Sequence, residues 1–433
     1  MLSLMIIVSI FIAIMIGYKT NINTGLIAIG FSYIIGCLVM DMPVREVLGG
    51  WPLNTMFVIF SVSLFYNFAM INGTLDATAR FVLYKMQRYP ALLPLAIYFA
   101  SAFIAALGAG FFTVMAAMAP LALLICKEAK INELVGAMAV NCGALSGANF
   151  MTSGSGIIFR GLMSEIDFDQ EAFGYSGFIF IMSVIFSILL ITSIMFFHRK
   201  TNPVEGHLTI DKPEPLTHKQ KQNLWLIIFM VIVVLIFPIM HMILPEHALI
   251  TSINSKMDVG FVAIIFAIIA LLMDLAPQIE AMNKVPWNTI IMISGVGMLI
   301  NVAIEAGTIE QLAAWVGGSI PVLLIPLALA IIAAIMSFFS STLGVVAPAL
   351  FPLVPSLAEV SGANPMLLFM CIVIGAQSSA ISPFSSGGSL VLGSASTEEE
   401  RQRLFPQLIF KAVPISVLSA AAFCFIVSLF NIA

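Results

Sequence analysis

Charged side chains are scarce in this chain. Asp, Glu, Lys and Arg make up 9% of its 433 residues, whereas 61% are hydrophobic and the mean hydropathy is +1.08. Soluble proteins carry about 25% charged residues, so this composition is too apolar to cover a water-exposed surface. We therefore expect an integral membrane protein in contact with the lipid bilayer. The sequence also has no basic patch, which excludes nucleic acid as a partner.

The usual signatures of a metal site or an enzyme are missing as well. The five cysteines form no CxxC pair, and the five histidines form no HExxH pair. No nucleophile stands at a useful spacing from a general base. Carboxylates are absent from the middle of the apolar runs, where they would mark a proton pathway. The sequence thus predicts no enzyme, no metal site and no cofactor other than coupling sodium ions.

Apolar runs of the length that crosses a bilayer, about 20 residues, fall into two sets on either side of a polar linker, 198–221. We expect repeat 1, residues 1–197, to place spans at 2–18, 23–40, 54–72, 134–163 and 173–197, with a re-entrant hairpin at 91–127. We expect repeat 2, residues 222–433, to place spans at 222–244, 257–274, 287–305, 364–395 and 406–430, with a hairpin at 320–357. Interfacial helices are predicted at 74–88 and 308–317.

The fourth run of each set is rich in Gly, Ser and Thr. Gly143–Gly161 matches Gly375–Gly393 at an offset of 232, with seven identical positions. Non-helical backbone at membrane depth is tolerated only where it lines a cavity, so both runs are predicted to be broken helices. Because five crossings is an odd number, the second set must be inverted relative to the first. The sequence predicts an all-α polytopic membrane protein built from two inverted repeats of five transmembrane helices.

The basic residues indicate the orientation of the chain. With both termini outside, every Lys and Arg faces the cytoplasm except Arg45, Arg160 and Lys256, out of 18 in total. This distribution follows the positive-inside rule. Arg160 has two readings, either a partner of a substrate carboxylate or a side chain that reaches the outer interface beside Glu165. The expected location is the cytoplasmic (inner) membrane.

The helix breaks and the hairpin tips hold the candidate binding residues. Half-helices that end inside a membrane point free N–H groups at an anion, and their carbonyl ends suit a hard cation such as sodium. Small residues also allow close helix packing, but their clustering at four matched places favours a site. We expect the substrate to be bound by Ser146, Asn149, Thr152, Ser153, Ser340, Ser341, Thr342, Ser378, Ser379, Ser382 and Ser385. Sodium is expected at Gly108, Gly110, Thr113, Gly143, Ser340 and Gly375.

This pattern resembles the ion-transporter superfamily, and within it the divalent anion/sodium symporters and the malonate/dicarboxylate carrier branch. The symporters carry a Ser-Asn-Thr motif at each hairpin tip, which contacts the substrate carboxylate and sodium. Ser340-Ser341-Thr342 is similar to that motif, whereas Gly108-Ala109-Gly110 at the aligned first tip has no hydroxyl. The resemblance implies a homodimer that works by an elevator motion. We expect the second half to supply more side-chain ligands than the first.

The sequence therefore predicts a secondary active transporter. Its expected substrate is a small dicarboxylate such as malonate or succinate, moved together with sodium or protons. A cation/proton antiporter, or a carrier of citrate, gluconate or an oxyanion, remains open on the same fold. An anion channel would need a continuous pore lining instead of two interrupted helices.

Overall fold

A computed structural model describes residues 2–20, 22–86, 92–129, 131–201, 213–244, 247–254, 256–338, 340–395 and 397–431. The middle of the predicted linker, 202–212, lies outside these residues, as do 87–88 of the first interfacial stretch and 91 of the first hairpin. The described part of the chain is helical and contains no β-strand. The all-α fold class is confirmed.

The α-helices are numbered in chain order. They are α1 (Leu2–Thr20), α2 (Thr24–Ser32), α3 (Val44–Gly49), α4 (Leu53–Ile71), α5 (Thr74–Met86), α6 (Leu93–Ile104), α7 (Gly110–Glu128), α8 (Glu133–Ala148), α9 (Gly154–Ser164), α10 (Ala172–Thr201), α11 (His218–Ile243), α12 (Ala248–Asn254), α13 (Val259–Leu272), α14 (Gln278–Asn283), α15 (Trp287–Glu305), α16 (Thr308–Ser319), α17 (Ile325–Phe338), α18 (Ala347–Leu350), α19 (Leu353–Ser361), α20 (Pro365–Ser378), α21 (Ser386–Gly393), α22 (Glu398–Gln407) and α23 (Val413–Asn431). Wider, π-type turns occupy Tyr33–Val39, Thr342–Val346 and Leu408–Ala412.

Several of these helices have the length and composition of membrane spans. Six helices in the described residues are long and apolar enough to cross a membrane, and the number rises to eight if each of two bent pairs is one span. Four shorter apolar helices accompany them, among them α20. Since a bilayer requires every backbone polar group to be paired inside the protein, helices of this kind fit a multi-pass membrane protein.

Two helices stop where the sequence is rich in Gly and Ser. α8 ends at Ala148 and the next helix starts at Gly154, and α20 ends at Ser378 before α21 starts at Ser386. Every residue of α8 is buried, and α20 is buried from Leu367 onward. Asn132 caps the start of α8 and Asn364 caps the start of α20, each accepting a hydrogen bond from a backbone N–H two residues later. The two interrupted helices are therefore interior elements.

The chain divides into two compact units, and each takes segments from both sides of the polar linker. One unit consists of Met1–Met56, Phe159–Phe186 and Trp287–Ala433, and it contains α17 to α21 packed with α2 and α15. The other consists of Phe57–Ile158 and Ser187–Pro286, and it contains α5 to α8 together with α11 and α13. The second unit thus contains α8 and α9 only as far as Ile158, whereas the first contains both α20 and α21.

Helices extend beyond several of the predicted boundaries. α10 continues to Thr201 and α11 starts at His218, so both ends of the predicted linker are helical. At the start of α11, Thr217 and Gln220 form a reciprocal capping box, which fixes the first turn. The last predicted span, 406–430, is also preceded by a helix, because Thr397 caps α22, which begins at Glu398. Local capping outweighs the change in composition at these ends.

One close helix contact yields a stability test in α2. A Cβ on Gly25 would overlap the backbone of Ile291 and Met292 in α15, whereas a Cβ on Gly30 of the same helix has nothing within 4 Å. Gly25→Ala should therefore lower the melting temperature of the purified protein. Gly30→Ala should leave it unchanged or raise it, since Ala favours a helix over Gly by about 1 kcal/mol. Equal melting temperatures for the two variants would contradict this packing.

Candidate functional site

The first hairpin begins with α6, which runs parallel to α8. A Cβ on Gly143 would overlap the carbonyl oxygen of Tyr98, and one on Gly147 would overlap the backbone of Ala102. The later residue of α6 contacts the later residue of α8, so the two helices run in the same direction. Glycine at these two positions of α8 allows the backbones to touch.

The second arm of this hairpin, α7, runs the opposite way. Near its end, Cys126 packs on Gly136 at the start of α8. Near its beginning, Gly110 lies beside Gly154, beyond the other end of α8. The arms α6 and α7 are therefore antiparallel, and the tip that joins them lies beside the break between α8 and α9.

The turn at this first tip depends on two glycines. Gly108 has a φ of 96° and Gly110 a φ of 72°, both in the left-handed region that L side chains avoid. Ser153 in the break donates a hydrogen bond of 2.5 Å from its hydroxyl to the carbonyl oxygen of Ala105. The Ser153 hydroxyl thus links the break to the backbone that leads into the tip.

The polar side chains of the first break differ in how they are satisfied. Ser146, Asn149, Thr152 and Ser153 are all fully buried. Ser146 contacts the Tyr98 hydroxyl at 3.1 Å and the Gly143 carbonyl at 3.3 Å. Among the residues that the structure describes, the Thr152 hydroxyl has no hydrogen-bond partner of acceptable geometry. A buried hydroxyl without a partner costs about 1–3 kcal/mol, so this atom is the first break's clearest ligand position.

Tyr66 on α4 is a residue at this tip that the sequence did not single out. A Cβ on Gly108 would overlap the Tyr66 ring, so the ring lies directly against the tip. Its hydroxyl donates to the carbonyl oxygen of Thr152 at 3.4 Å. One signal was available in the sequence. Tyr66 stands next to Asn67, and the position matched to Tyr66 in the second half, at an offset of 234, is Ile300.

The second hairpin and the second break repeat this arrangement. A Cβ on Gly375 would overlap Ala330, and the Ser379 hydroxyl donates to the carbonyl oxygen of Ala334 at 2.7 Å. The α17 arm therefore runs parallel to α20. Rings pair as Phe338–Phe384 at 5.6 Å before the tip and as Phe351–Phe369 at 4.8 Å after it, so the chain returns in the opposite direction.

The three tip residues of the second hairpin bond within that hairpin. Ser340 donates to the Met336 carbonyl at 2.6 Å, and the Thr342 and Ser337 hydroxyls lie 3.0 Å apart. Ser341 accepts a hydrogen bond of 3.2 Å from the Gly344 N–H, which leaves its own hydrogen for another group. These bonds fix the shape of the tip.

Most serines of the second break donate their hydrogens to backbone carbonyls. Ser378 donates to the Gly375 carbonyl at 2.6 Å, and Ser385 donates to the Ala380 carbonyl at 2.5 Å. Ser382 is different, because its oxygen accepts from the Phe384 N–H at 3.2 Å. A hydroxyl that has donated its hydrogen offers only lone pairs, which suit a cation and not a carboxylate.

Arg160 and Glu165 lie after the first break, in the unit that contains α15. The Arg160 guanidinium stands 5.3 Å from the centre of the Phe173 ring, a cation–π distance. Glu165 accepts a hydrogen bond of 2.7 Å from the Thr55 hydroxyl at the start of α4. Although part of the Glu165 side chain is exposed, burial of its carboxyl raises its pKa above the ordinary value, and the hydrogen bonds with Thr55 offset part of that rise.

A cavity of about 330 Å³ adjoins this carboxyl. It is lined by the start of α4, the end of α9, the second half of α15 and the segment from Pro348 to Pro352. Asn54, Asn301 and Glu165 supply its polar side chains, and Glu165 is its one ionisable residue.

The two tip glycines provide a matched pair of variants. Ala at either position is strained by about 1–3 kcal/mol because φ is positive. Only at Gly108 would the new Cβ also overlap the Tyr66 ring, since Gly110 has nothing within 4 Å. Gly108→Ala should therefore lower the melting temperature several degrees more than Gly110→Ala. Similar losses in the two variants would show that the ring does not press on the tip.

The Glu165 carboxyl predicts a dependence of stability on pH. Burial raises the pKa of Glu165, so the folded state favours the neutral carboxyl over the charged one. The stability that the neutral carboxyl contributes is present at low pH and is lost as the pH rises through the raised pKa. Glu165→Gln stays neutral and still accepts from Thr55. The melting temperature of this variant minus that of the wild type should therefore increase between pH 4 and pH 8. A constant difference, or one that shrinks, would contradict the assignment.

Comparison with known proteins matches the first third of the chain to a carrier family. Residues 1–148 match the family model described as the N-terminus of the dicarboxylate carrier protein MatC. A comparison with curated proteins gives no match.

Two solved transporters share the fold. The YdaH transporter of Alcanivorax borkumensis superposes with a TM-score of 0.60 at 16% identity, over 93% of this chain and 89% of that one. MtrF of Neisseria gonorrhoeae, described with a class of antimetabolite efflux pumps, gives a TM-score of 0.56 at 14% identity, over 91% and 84%. Together with the family model, these matches confirm the resemblance to the dicarboxylate-carrier type and support a multi-pass membrane transporter rather than an enzyme.

Proposed function

We propose that this protein is a secondary active transporter that imports a small dicarboxylate of the malonate or succinate type. The observation that carries the proposal is that each helix break is closed by a hairpin tip and surrounded by buried, uncharged polar groups. Half-helices that end at such breaks form the binding sites of secondary transporters. The match of residues 1–148 to a dicarboxylate carrier model supports the choice of substrate.

Paired contacts support the two inverted repeats. Gly143 packs on position 98 and Gly375 on position 330, which is the same pair shifted by 232. Ser146 donates to the Gly143 carbonyl, and Ser378 donates to the Gly375 carbonyl. A contact kept at matched positions favours a duplicated unit, and five crossings in each copy would invert the second.

The hydrogen bonds suggest a division of roles between the two breaks. In the second break, the lone pairs of Ser378, Ser379 and Ser385 are suited to sodium, because their hydrogens are already donated to carbonyls. In the first break, the Thr152 hydroxyl is available to donate to a carboxylate. The expectation that the second half supplies more side-chain ligands stays a prediction, and Ser341 and Ser382, which accept hydrogen bonds from backbone N–H groups, are its remaining donors.

Coupling to sodium or protons, an elevator motion, a homodimer and an inner-membrane location with both termini outside complete the proposal. They are supported by the resemblance to dicarboxylate carriers and by the distribution of basic residues. The scarcity of carboxylates in the apolar runs favours sodium over protons.

Uptake by proteoliposomes tests the proposal. We expect malonate or succinate to accumulate against its gradient when an inward sodium or proton gradient is imposed, with acetate as the monocarboxylate control. The two gradients are applied separately, so that the coupling ion is identified. No accumulation of any C3 to C6 dicarboxylate would contradict the proposal.

Two further readouts separate the alternatives on the same fold. A pH-sensitive dye inside the vesicles would detect sodium-driven proton movement by an antiporter. Because MtrF is described with efflux pumps, preloaded vesicles should also be followed for export. Dicarboxylate export without uptake would retain the substrate class and reverse the proposed direction.

A further inference from the structure

The first hairpin tip lacks the hydroxyls of the second, and an aromatic ring occupies the space beside it. The Tyr66 side chain is buried, with 3% of its surface exposed, and its ring lies where a side chain on Gly108 would extend. Since Gly108 also has a positive φ, both its conformation and its surroundings require glycine. At Gly108, the position of the Tyr66 ring therefore excludes a side chain.

The matched positions of the second half carry the opposite combination. Position 300, matched to Tyr66, is Ile, and position 340, matched to Gly108, is Ser. One half thus pairs a tyrosine on the span with a bare tip, and the other pairs an aliphatic residue with a hydroxyl at the tip. The first half therefore has a phenolic hydroxyl on α4 beside a tip without hydroxyls.

The Tyr66 hydroxyl reaches across the tip to the break. It donates to the Thr152 carbonyl at 3.4 Å, which is long for a bond between two oxygens. Ser153, the next residue, is fixed by its bond to the Ala105 carbonyl. Tyr66 and Ser153 together hold the Thr152 backbone between the tip and the start of α9.

This arrangement leaves one atom unused. The Thr152 hydroxyl is fully buried beside the Tyr66 hydroxyl and has no hydrogen-bond partner of acceptable geometry among the described residues. It lies two residues before Gly154, the start of α9, and the helix dipole at a helix start favours an anion. A hydroxyl held there has its hydrogen available for a carboxylate oxygen.

We propose that Tyr66 is a positioning residue of the first half, which fixes the bare tip and the Thr152 backbone so that the Thr152 hydroxyl donates to a carboxylate of the transported anion. This inference rests on the proposed function. It assigns the role of the missing tip motif to a residue on α4.

The test compares substitutions at the two positions with a neighbouring control. Thr152→Val removes the hydroxyl at nearly constant volume, and Thr152→Ser keeps it. Tyr66→Phe removes the hydroxyl and keeps the ring. Asn67→Ala is the control, because Asn67 is the next residue on α4 and its amide donates to the Ala281 carbonyl at 2.9 Å, away from the break. Each variant is reconstituted, and malonate and succinate serve as probes for KM and Vmax.

We expect Thr152→Val to raise the KM for the probe about tenfold or more, as the loss of a hydrogen bond to a charged group predicts. Thr152→Ser should stay near the wild type. Tyr66→Phe should raise the KM by a smaller factor. In the double variant, the KM should not exceed that of Thr152→Val alone, because Tyr66 acts through Thr152. Asn67→Ala should lower the melting temperature and leave the KM unchanged.

Three results would overturn the inference. One is a wild-type KM in both Thr152→Val and Tyr66→Phe, with only a lower melting temperature, as in the control. Another is an additive rise in the double variant, which would make Tyr66 an independent contact. The third is a change in the KM for sodium instead of the anion. Absence of uptake by the wild type would instead contradict the proposed function itself, and the inference would fall with it.

Discussion

The need to pair every backbone polar group inside the membrane governs this structure. A helix that stops within the apolar layer leaves N–H and C=O groups that water does not reach. Here a hairpin tip covers each interruption, and a serine hydroxyl donates a hydrogen bond to a backbone carbonyl at each one. Ser153 donates to the Ala105 carbonyl, and Ser379 donates to the Ala334 carbonyl. At the first break, the Thr152 hydroxyl is a buried group that no described residue satisfies, and it is the position that we assign to the ligand.

The two tips solve this problem with different residues. At the second tip, Ser340 and Thr342 bond to their own hairpin, which holds the turn from within. At the first tip, two glycines form the turn, and Tyr66 on another helix supports it from outside. A shared architecture therefore does not imply the same ligands in both halves.

Much of the fold was predictable from the sequence, because membrane spans and their interruptions are local in composition. The runs of Gly and Ser around Gly143 and Gly375 indicated the breaks, and Gly108 and Gly110 indicated a sharp turn. The bonds from Ser153 to Ala105 and from Ser379 to Ala334 were not predictable, since the accepting carbonyls lie 48 and 45 residues away. Tyr66 was missed for the same reason: its partners are on two other segments. Matching the two halves of the sequence draws attention to residues that are the same in both, and the position matched to Tyr66 is an isoleucine.

The central claim is that the first break contributes a donor to a dicarboxylate. It is tested most directly by thermal unfolding of the purified protein with and without malonate or succinate, in wild type and in Thr152→Val. A ligand that binds the folded state raises the melting temperature. The account predicts a rise in the wild type, none with acetate, and a much smaller rise in the variant. Equal shifts in the two proteins would contradict it.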